Sequence, residues 1–307
     1  MDILLQQIVN GLVQGSVYAL VALGYTMVYG ILGLINFAHG EVVMIGAMVA
    51  LSVIMLLAGS DLPPLMVLLV SLMVAITACM ALGYGIERIA YRPLRNAPRL
   101  APLITAIGVS IVLQNLAMMF WGREYHAFPP LLPNSPHIFL GAIITEVQII
   151  IVLVAMAMMG GLLLLMQRTR LGRAMRAVAE NPSAAALMGV NINGVISVTF
   201  MIGSALAAVA GLMVSANYGI VHYYMGAILG LKAFTAAVLG GIGNMRGAML
   251  GGLLLGLIES LGAGYIGDLT GGFLGSHYQD VFAFFVLIAV LVFRPSGLLG
   301  ERVAERA

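Results

Sequence analysis

Charge is what this sequence has least of. Only 8% of its 307 residues are Asp, Glu, Lys or Arg, where a soluble domain carries about a quarter, while 62% are hydrophobic and the mean hydropathy is +1.07. Such a chain cannot cover its apolar surface with polar groups, which excludes a soluble globular protein and leaves a polytopic membrane protein. Lysine occurs once, at Lys232, and there is no G-x-x-x-x-G-K-[ST] loop to cradle phosphates. Cysteine also occurs once, at Cys79 inside an apolar run, so no disulfide forms within the chain and the redox compartment is not indicated. Paired carboxylates on an outer face, a nucleophile elbow and a Cys/His cluster with metal-ligand spacing are all missing, and nothing is arranged for catalysis or for holding a metal. The N-terminal MDILLQQIVNGL has no basic n-region and no cleavage site, so no removable signal peptide is expected.

What is present is a series of apolar runs. A span needs about 20 apolar residues, which allows about eight or nine here. They fall near 8–33, 41–58, 64–86, 101–121, 143–166, 195–217, 228–243, 247–266 and 280–293. The hydrophilic gaps sort by charge. Arg88, Arg92, Arg95 and Arg99 share one gap, Arg168, Arg170, Arg173 and Arg176 another, and Arg294, Arg302 and Arg306 the tail. Asp61, Glu124, Glu146, Asp268 and Asp280 occupy the alternate gaps, with Arg123 the basic exception. Alternation of this kind is the positive-inside pattern. It places the 88–100 gap, the 167–194 loop, Arg246 and the C-terminus in the cytoplasm and the N-terminus outside. The chain reads as one transmembrane domain over 1–307, and no clean internal repeat is evident.

Two gaps are too apolar for ordinary loops. They are Gly30–Glu41 (GILGLINFAHGE) and Leu239–Gly247 (LGGIGNMRG). Non-helical backbone at membrane depth survives only where protein buries it or where it lines a cavity, and helices broken in this way carry the substrate path in many transporters. Asn36, Phe37, His39, Gly40, Glu41 and Asn244 are therefore candidate path residues, against the simpler reading of a tight turn at the bilayer surface. Ionisable groups inside spans cost about 2.5–3.5 kcal/mol each at mid-helix, so Glu259 and Lys232 join them. Glu259 is expected to face the bundle interior, paired or protonated; Lys232 either lines the path or snorkels to the outer interface. The outer gap 122–142 is rich in proline and aromatics, which fits an ordered loop rather than a helix. His126, His137, His222 and His277 fall in outer gaps without ligand-like spacing and read as surface histidines.

The most polar long stretch is Arg168–Gly194. Its pattern gives a first helix, a break at Asn181–Pro182, and a short helix through Ser183–Met188 stopped by Gly189. Ala177, Ala179, Ala184, Ala185 and Ala186 make its surface thin. It is either an ordinary cytoplasmic loop or a docking helix for a soluble partner.

The stretches GYTMVYGILGLINFAHGEVVMIGA (Gly24–Ala47), IERIAYRPLR (Ile86–Arg95), LGRAMRAVAENPSAAALMGVN (Leu171–Asn191) and LKAFTAAVLGGIGNMRGAMLGG (Leu231–Gly252) resemble the LivH-type permeases of bacterial ABC importers for branched-chain amino acids. The resemblance covers essentially the whole chain. It implies an all-α bundle similar to the vitamin-B12-type importers, with discontinuous helices at the glycine-rich breaks, in the bacterial inner membrane. It also implies four kinds of company: a second, related permease subunit forming a heterodimer, two ATP-binding subunits, a periplasmic binding protein, and the lipid bilayer, but no nucleic acid. The chain would bind no cofactor, ATP and Mg belonging to the partner subunits. Ser183-Ala184-Ala185 with Gly189 is similar to the EAA-x-x-x-G coupling loops, Ser standing where Glu is usual and Glu180 lying close by. Arg173 and Arg176 are placed to reach acidic or carbonyl partners. Competing readings are a permease for urea or short-chain amides, a proton-coupled secondary transporter working through Glu259 or His39, and a passive channel.

Overall fold

The computed structural model describes residues 2–95, 97–98, 100–139, 141–269 and 278–300. Arg99, His277, Arg302 and Arg306 lie outside them, as does the side chain of Asp268. The helices are α1 (Asp2–Leu32), α2 (His39–Leu56), α3 (Pro64–Gly85), α4 (Leu100–Trp121), α5 (Glu146–Arg168), α6 (Arg170–Glu180), α7 (Pro182–Leu187), α8 (Ile192–Tyr218), α9 (Met225–Gly240), α10 (Met245–Leu269) and α11 (Gln279–Phe293). Four short strands, β1 (His126–Ala127), β2 (Pro136–Phe139), β3 (Ala142–Thr145) and β4 (Ile220–Val221), form two antiparallel pairs, β1 with β4 and β2 with β3. Among the described residues, 7 helical segments are long and apolar enough to cross a membrane, and Met225–Gly240 and Ala283–Phe293 are shorter apolar helices. This is a mainly helical, multi-pass membrane protein. The count expected from sequence also took in α9 and α11, which at 16 and 15 residues reach only about 24 and 22 Å.

Close packing explains the glycines. α1 lies along α10 with Gly11 and Gly15 facing Leu253, Gly256 and Leu257, and with Ala19 facing Gly252. A Cβ added at Gly252 would sit 2.4 Å from the Ala19 Cα, and one at Gly256 2.4 Å from the Gly15 Cα. Backbone meets backbone along this seam, the way small residues bring helices together in lipid. Gly46 meets Ala208 between α2 and α8 in the same manner. α1 and α8 form the buried centre, while α4 and α5 turn Ile104, Ile111, Phe120, Leu153 and Leu164 outward.

Three boundaries differ from the sequence reading. The first helix starts at Asp2 rather than near residue 8. Residues 143–145 belong to β3, because Thr145 and Gln148 form a reciprocal capping box that starts α5 only at Glu146. Within the outer gap 122–142 the expected ordered, non-helical loop carries β1, β2 and the start of β3. The 88–100 gap is itself largely helical. α3 runs on through a π-helical turn at Ile86–Tyr91 and a 3-10 turn at Arg92–Leu94. A π turn stacks residues five apart, and this one sets Arg92 against the buried Glu87 at 2.7 Å.

Both glycine-rich gaps are breaks between helices, as expected, at 33–38 and 241–244. α1 ends where Gly33 adopts φ +63°. His39, which opens α2, lies against Gly24, eight helical residues or about 12 Å before the end of α1. The chain thus turns back into the bundle before α2 begins. At the second break, residues near the C-terminus close the end of α9: Leu298 N–H donates to Leu239 O and Leu299 N–H to Gly240 O, each at 2.9 Å.

Candidate translocation path and coupling loop

The first break is held from its interior side. Asn36, His39 and Glu41 are 3%, 2% and 1% exposed. The Asn36 side-chain oxygen accepts from Ala38 N–H at 3.2 Å and from the Tyr91 hydroxyl at 3.0 Å, fixing the turn to the end of α3. The His39 ring fills the notch left by Gly24 and Gly203, with Tyr25 edge-on at 5.0 Å. Gly40 lets α2 touch α9, since a Cβ there would lie 2.4 Å from Gly226 O and 2.7 Å from the Gly230 Cα. Phe37 packs on Phe234 with ring centroids 5.4 Å apart. Glu41 receives two hydrogen bonds from α4, Gln114 Nε2 at 2.7 Å and Ser110 Oγ at 3.1 Å, both on Oε1. Its Oε2 is buried beside Gly226 with no partner among the described residues, and a buried acceptor left unmet costs about 1–3 kcal/mol. A cavity of ≈ 180 Å³ lies there, lined by Tyr25, Phe37, Glu41, Ile107, Ser110 and Leu231 among others.

The remaining candidates lie elsewhere. On α9, Lys232 is two residues, about 200° of rotation, from Gly230, so it faces away from that cavity. Its Nζ is 3.2 Å from Glu259 Oε2 and 2.7 Å from Asp280 Oδ1, and the Tyr18 hydroxyl donates to Glu259 at 2.8 Å. Lys232 thus joins α9, α10 and α11 through these two ion pairs. Glu259 is 2% exposed and paired. Asn244 caps α10 through Gly247 N–H at 3.1 Å and binds Leu299 O at 2.9 Å. It also borders a larger cavity of ≈ 890 Å³ whose lining includes Gly30, Thr199, Arg176 and Arg246. The path candidates form three separate groups: the break with Glu41, the Lys232–Glu259 pair, and Asn244.

The 167–194 loop is two short helices. On α6, Gly172, Met175 and Val178 are buried, and Arg176 donates to Met166 O. Arg173, Glu180, Ser183, Ala184 and Gly189 are exposed and Ala185 is buried. α7 has only 6 residues, far below the length at which a helix stands alone, so its caps decide it. Asn181 accepts from Ala184 N–H at 3.0 Å and Pro182 takes the first helical position. At the other end Val190 N–H reaches Ala185 O and Gly189 N–H reaches Ala186 O, both at 3.0 Å, with Gly189 at φ +83°, a complete Schellman stop. The result is a fixed knob on which Leu187 and Met188 are 89% and 85% exposed. Strands β1 and β4 mark the opposite end of the bundle, where α8 finishes; the start of α1 is at that end too, bonded by Gln6 to Ile143.

The sequence profile of one family, described as the permease component of a branched-chain amino acid transport system, matches residues 7–291. The chain belongs to this family. It is 51% identical over 308 residues to the high-affinity branched-chain amino acid transport system permease protein BraD of Pseudomonas aeruginosa, covering 98% of this chain and 97% of that protein. Identity to the permease protein LivH of Escherichia coli strain K12 is 46% over 309 residues, with 98% and 97% covered. A probable LivH of Methanocaldococcus jannaschii is 30% identical over 294 residues, with 95% and 91% covered.

Several residues of the permease that shape these sites are not evident from sequence. Glu87 is fully buried and accepts from Arg92, from Arg95 at 2.6 Å and from Ser197 at 2.8 Å. In sequence it is one carboxylate in an arginine-rich gap, and nothing marks it as buried. Ser110 and Gln114 carry a usable signal, being polar residues four apart in an apolar span and so on one face. His126 and His222 bond the Trp121 and Arg123 carbonyls at 2.7 and 3.2 Å, and His137 faces Glu146 at 3.2 Å.

Proposed function

We propose that this chain is the membrane-spanning subunit of an ATP-driven importer that moves leucine, isoleucine or valine delivered by a periplasmic binding protein. It works as a single permease domain over 1–307, paired with a second, related permease subunit and served by two ATP-binding subunits that supply ATP and Mg chemistry; it has no ATPase of its own. In this reading the bundle is of the vitamin-B12-importer type with nine spans in the bacterial inner membrane, α9 and α11 counting among them. The 167–194 loop and the C-terminus face the cytoplasm and the N-terminus faces out, which agrees with the arginines gathered at the loop end. ATP closing the ATPases would move α7, and the bundle would rock so that the path changes the side it faces.

The observation that carries this is the α7 knob. A helix capped at both ends that holds two large apolar side chains in water has no use within the chain, and every reason to exist if a groove on another subunit receives it. A solitary proton-driven carrier would have no need of it. The test is uptake of labelled leucine by proteoliposomes holding the complete set of subunits. With Leu187 and Met188 both changed to Asp, the permease should fold normally, because neither side chain packs against it. ATP-dependent uptake should fall about a hundredfold, the loss expected when hot-spot contacts worth about 2–3 kcal/mol go. Uptake by this chain alone, driven by a proton gradient and unaffected by the change, would overturn the proposal.

A further inference from the structure

We infer that the cavity under Glu41 is a binding site for the ammonium group of the translocated amino acid, with Glu41 Oε2 as its acceptor. The inference rests on the importer reading above and assigns one contact within it. Glu41 is 1% exposed, in the first turn of a helix that starts inside the bundle. Gln114 and Ser110 both donate to Oε1 and so hold the carboxyl plane fixed. Oε2 remains without a partner. No Lys or Arg of the described residues forms a salt bridge to this carboxylate; Arg92 and Arg95 pair with Glu87, and Lys232 pairs with Glu259.

The space beside it matches the apolar side chain of such a ligand. The cavity is ≈ 180 Å³ and lined by Phe37, Ile107, Ala227 and Leu231, with Gly226 and Gly230 giving bare backbone on the α9 side. An ammonium attached to a compact branched hydrocarbon would set its one cation on Oε2 and its apolar body on these side chains. Ile107 and Leu231 stand at the open rim between α4 and α9, 46% and 50% exposed. Oε2 itself is covered beside Gly226 in this conformation, so an ammonium reaches it when α9 shifts off α2.

Two measurements on the assembled importer test the assignment. In proteoliposomes, Glu41→Gln should lower leucine uptake about tenfold. Glu41→Asp should recover part of the loss. Separately, Ile107→Cys is labelled with a maleimide in the importer without binding protein. Millimolar leucine should slow the labelling, whereas 2-hydroxy-4-methylpentanoate, the same body with hydroxyl in place of ammonium, should not. Glu41→Gln in that background should remove the protection. Equal protection by both compounds, or unchanged uptake in Glu41→Gln, would overturn the assignment. If Glu41→Gln fails to assemble, the comparison of the two compounds on the Ile107→Cys protein decides alone. Failure of ATP-driven uptake in the unsubstituted importer would instead sink the importer reading, and the labelling result would still judge Glu41.

Discussion

Glu87 shows how a single buried carboxylate can organise a surface that reads as solvated. Arg92 and Arg95 are 29% and 21% exposed against 0% for Glu87, so the charges sit at the rim of the bundle with the carboxylate sealed beneath. Removing one partner of a buried pair costs about 3–5 kcal/mol, and the partial exposure of the arginines pulls this to the low end. Glu87→Gln should therefore lower stability by about 2–4 kcal/mol, read as a lower thermal midpoint of the detergent-solubilised permease, whereas Arg95→Gln, which leaves Arg92 and Ser197 in place, should cost less. A smaller effect for Glu87→Gln than for Arg95→Gln would reverse this ordering. Legibility at this scale followed contrast. Glu259 is conspicuous as the one carboxylate in an apolar run, and both its burial and its pairing can be expected from that setting. Glu87 lies between apolar and basic residues, and its burial depends on a π turn that no local pattern announces.

At the scale of elements, most of what mattered was written in punctuation. Asn181-Pro182 and Gly189 place both ends of α7, and Gly33 with Gly241 and Gly243 place both breaks. The register of β3 and the continuation of α3 past Gly85 were not legible, because each is set by a pairing between residues rather than by propensity. Glycine content likewise gives no hint of which glycines are contacts, and the structure separates them. Gly252→Ala would force a methyl into the Ala19 backbone at 2.4 Å, where neither side can give, and overpacking of that kind costs about 1–3 kcal/mol or more. Gly160→Ala on α5 meets nothing within 4 Å and should be neutral or stabilising by up to about 1 kcal/mol. Thermal midpoints of the two proteins, purified side by side, check the contrast; equal losses would mean that the α1–α10 seam is looser than described.

For the whole molecule, the ion cluster of Lys232, Glu259 and Asp280 acts as a clasp on three helices. Lys232→Met leaves two carboxylates facing each other without a cation and should destabilise the bundle by about 3 kcal/mol or more. Adding Glu259→Leu removes one of those charges and should return part of the loss, because the pair itself is of little net benefit once its desolvation is counted. A double-mutant cycle on unfolding midpoints measures the coupling, and strict additivity would show that the two groups do not interact. The membrane-spanning class was visible in composition, and the two breaks in where the glycines fall. The division of the polar interior into separate groups was not, since it depends on which face of α9 each residue occupies.

The bonds from Leu298 and Leu299 to the end of α9 also carry a consequence for how the molecule is made. A ribosome emits the 241–244 break long before it emits the residues that satisfy the Leu239 and Gly240 carbonyls. Until then the Leu239 and Gly240 carbonyls lack these two donors, and α9 and α10 are held only by their own packing at Gly240, Gly247 and Gly251. The bonds that close the end of α9 are thus supplied by almost the last described residues to emerge. Assembly of the bundle is completed from its tail.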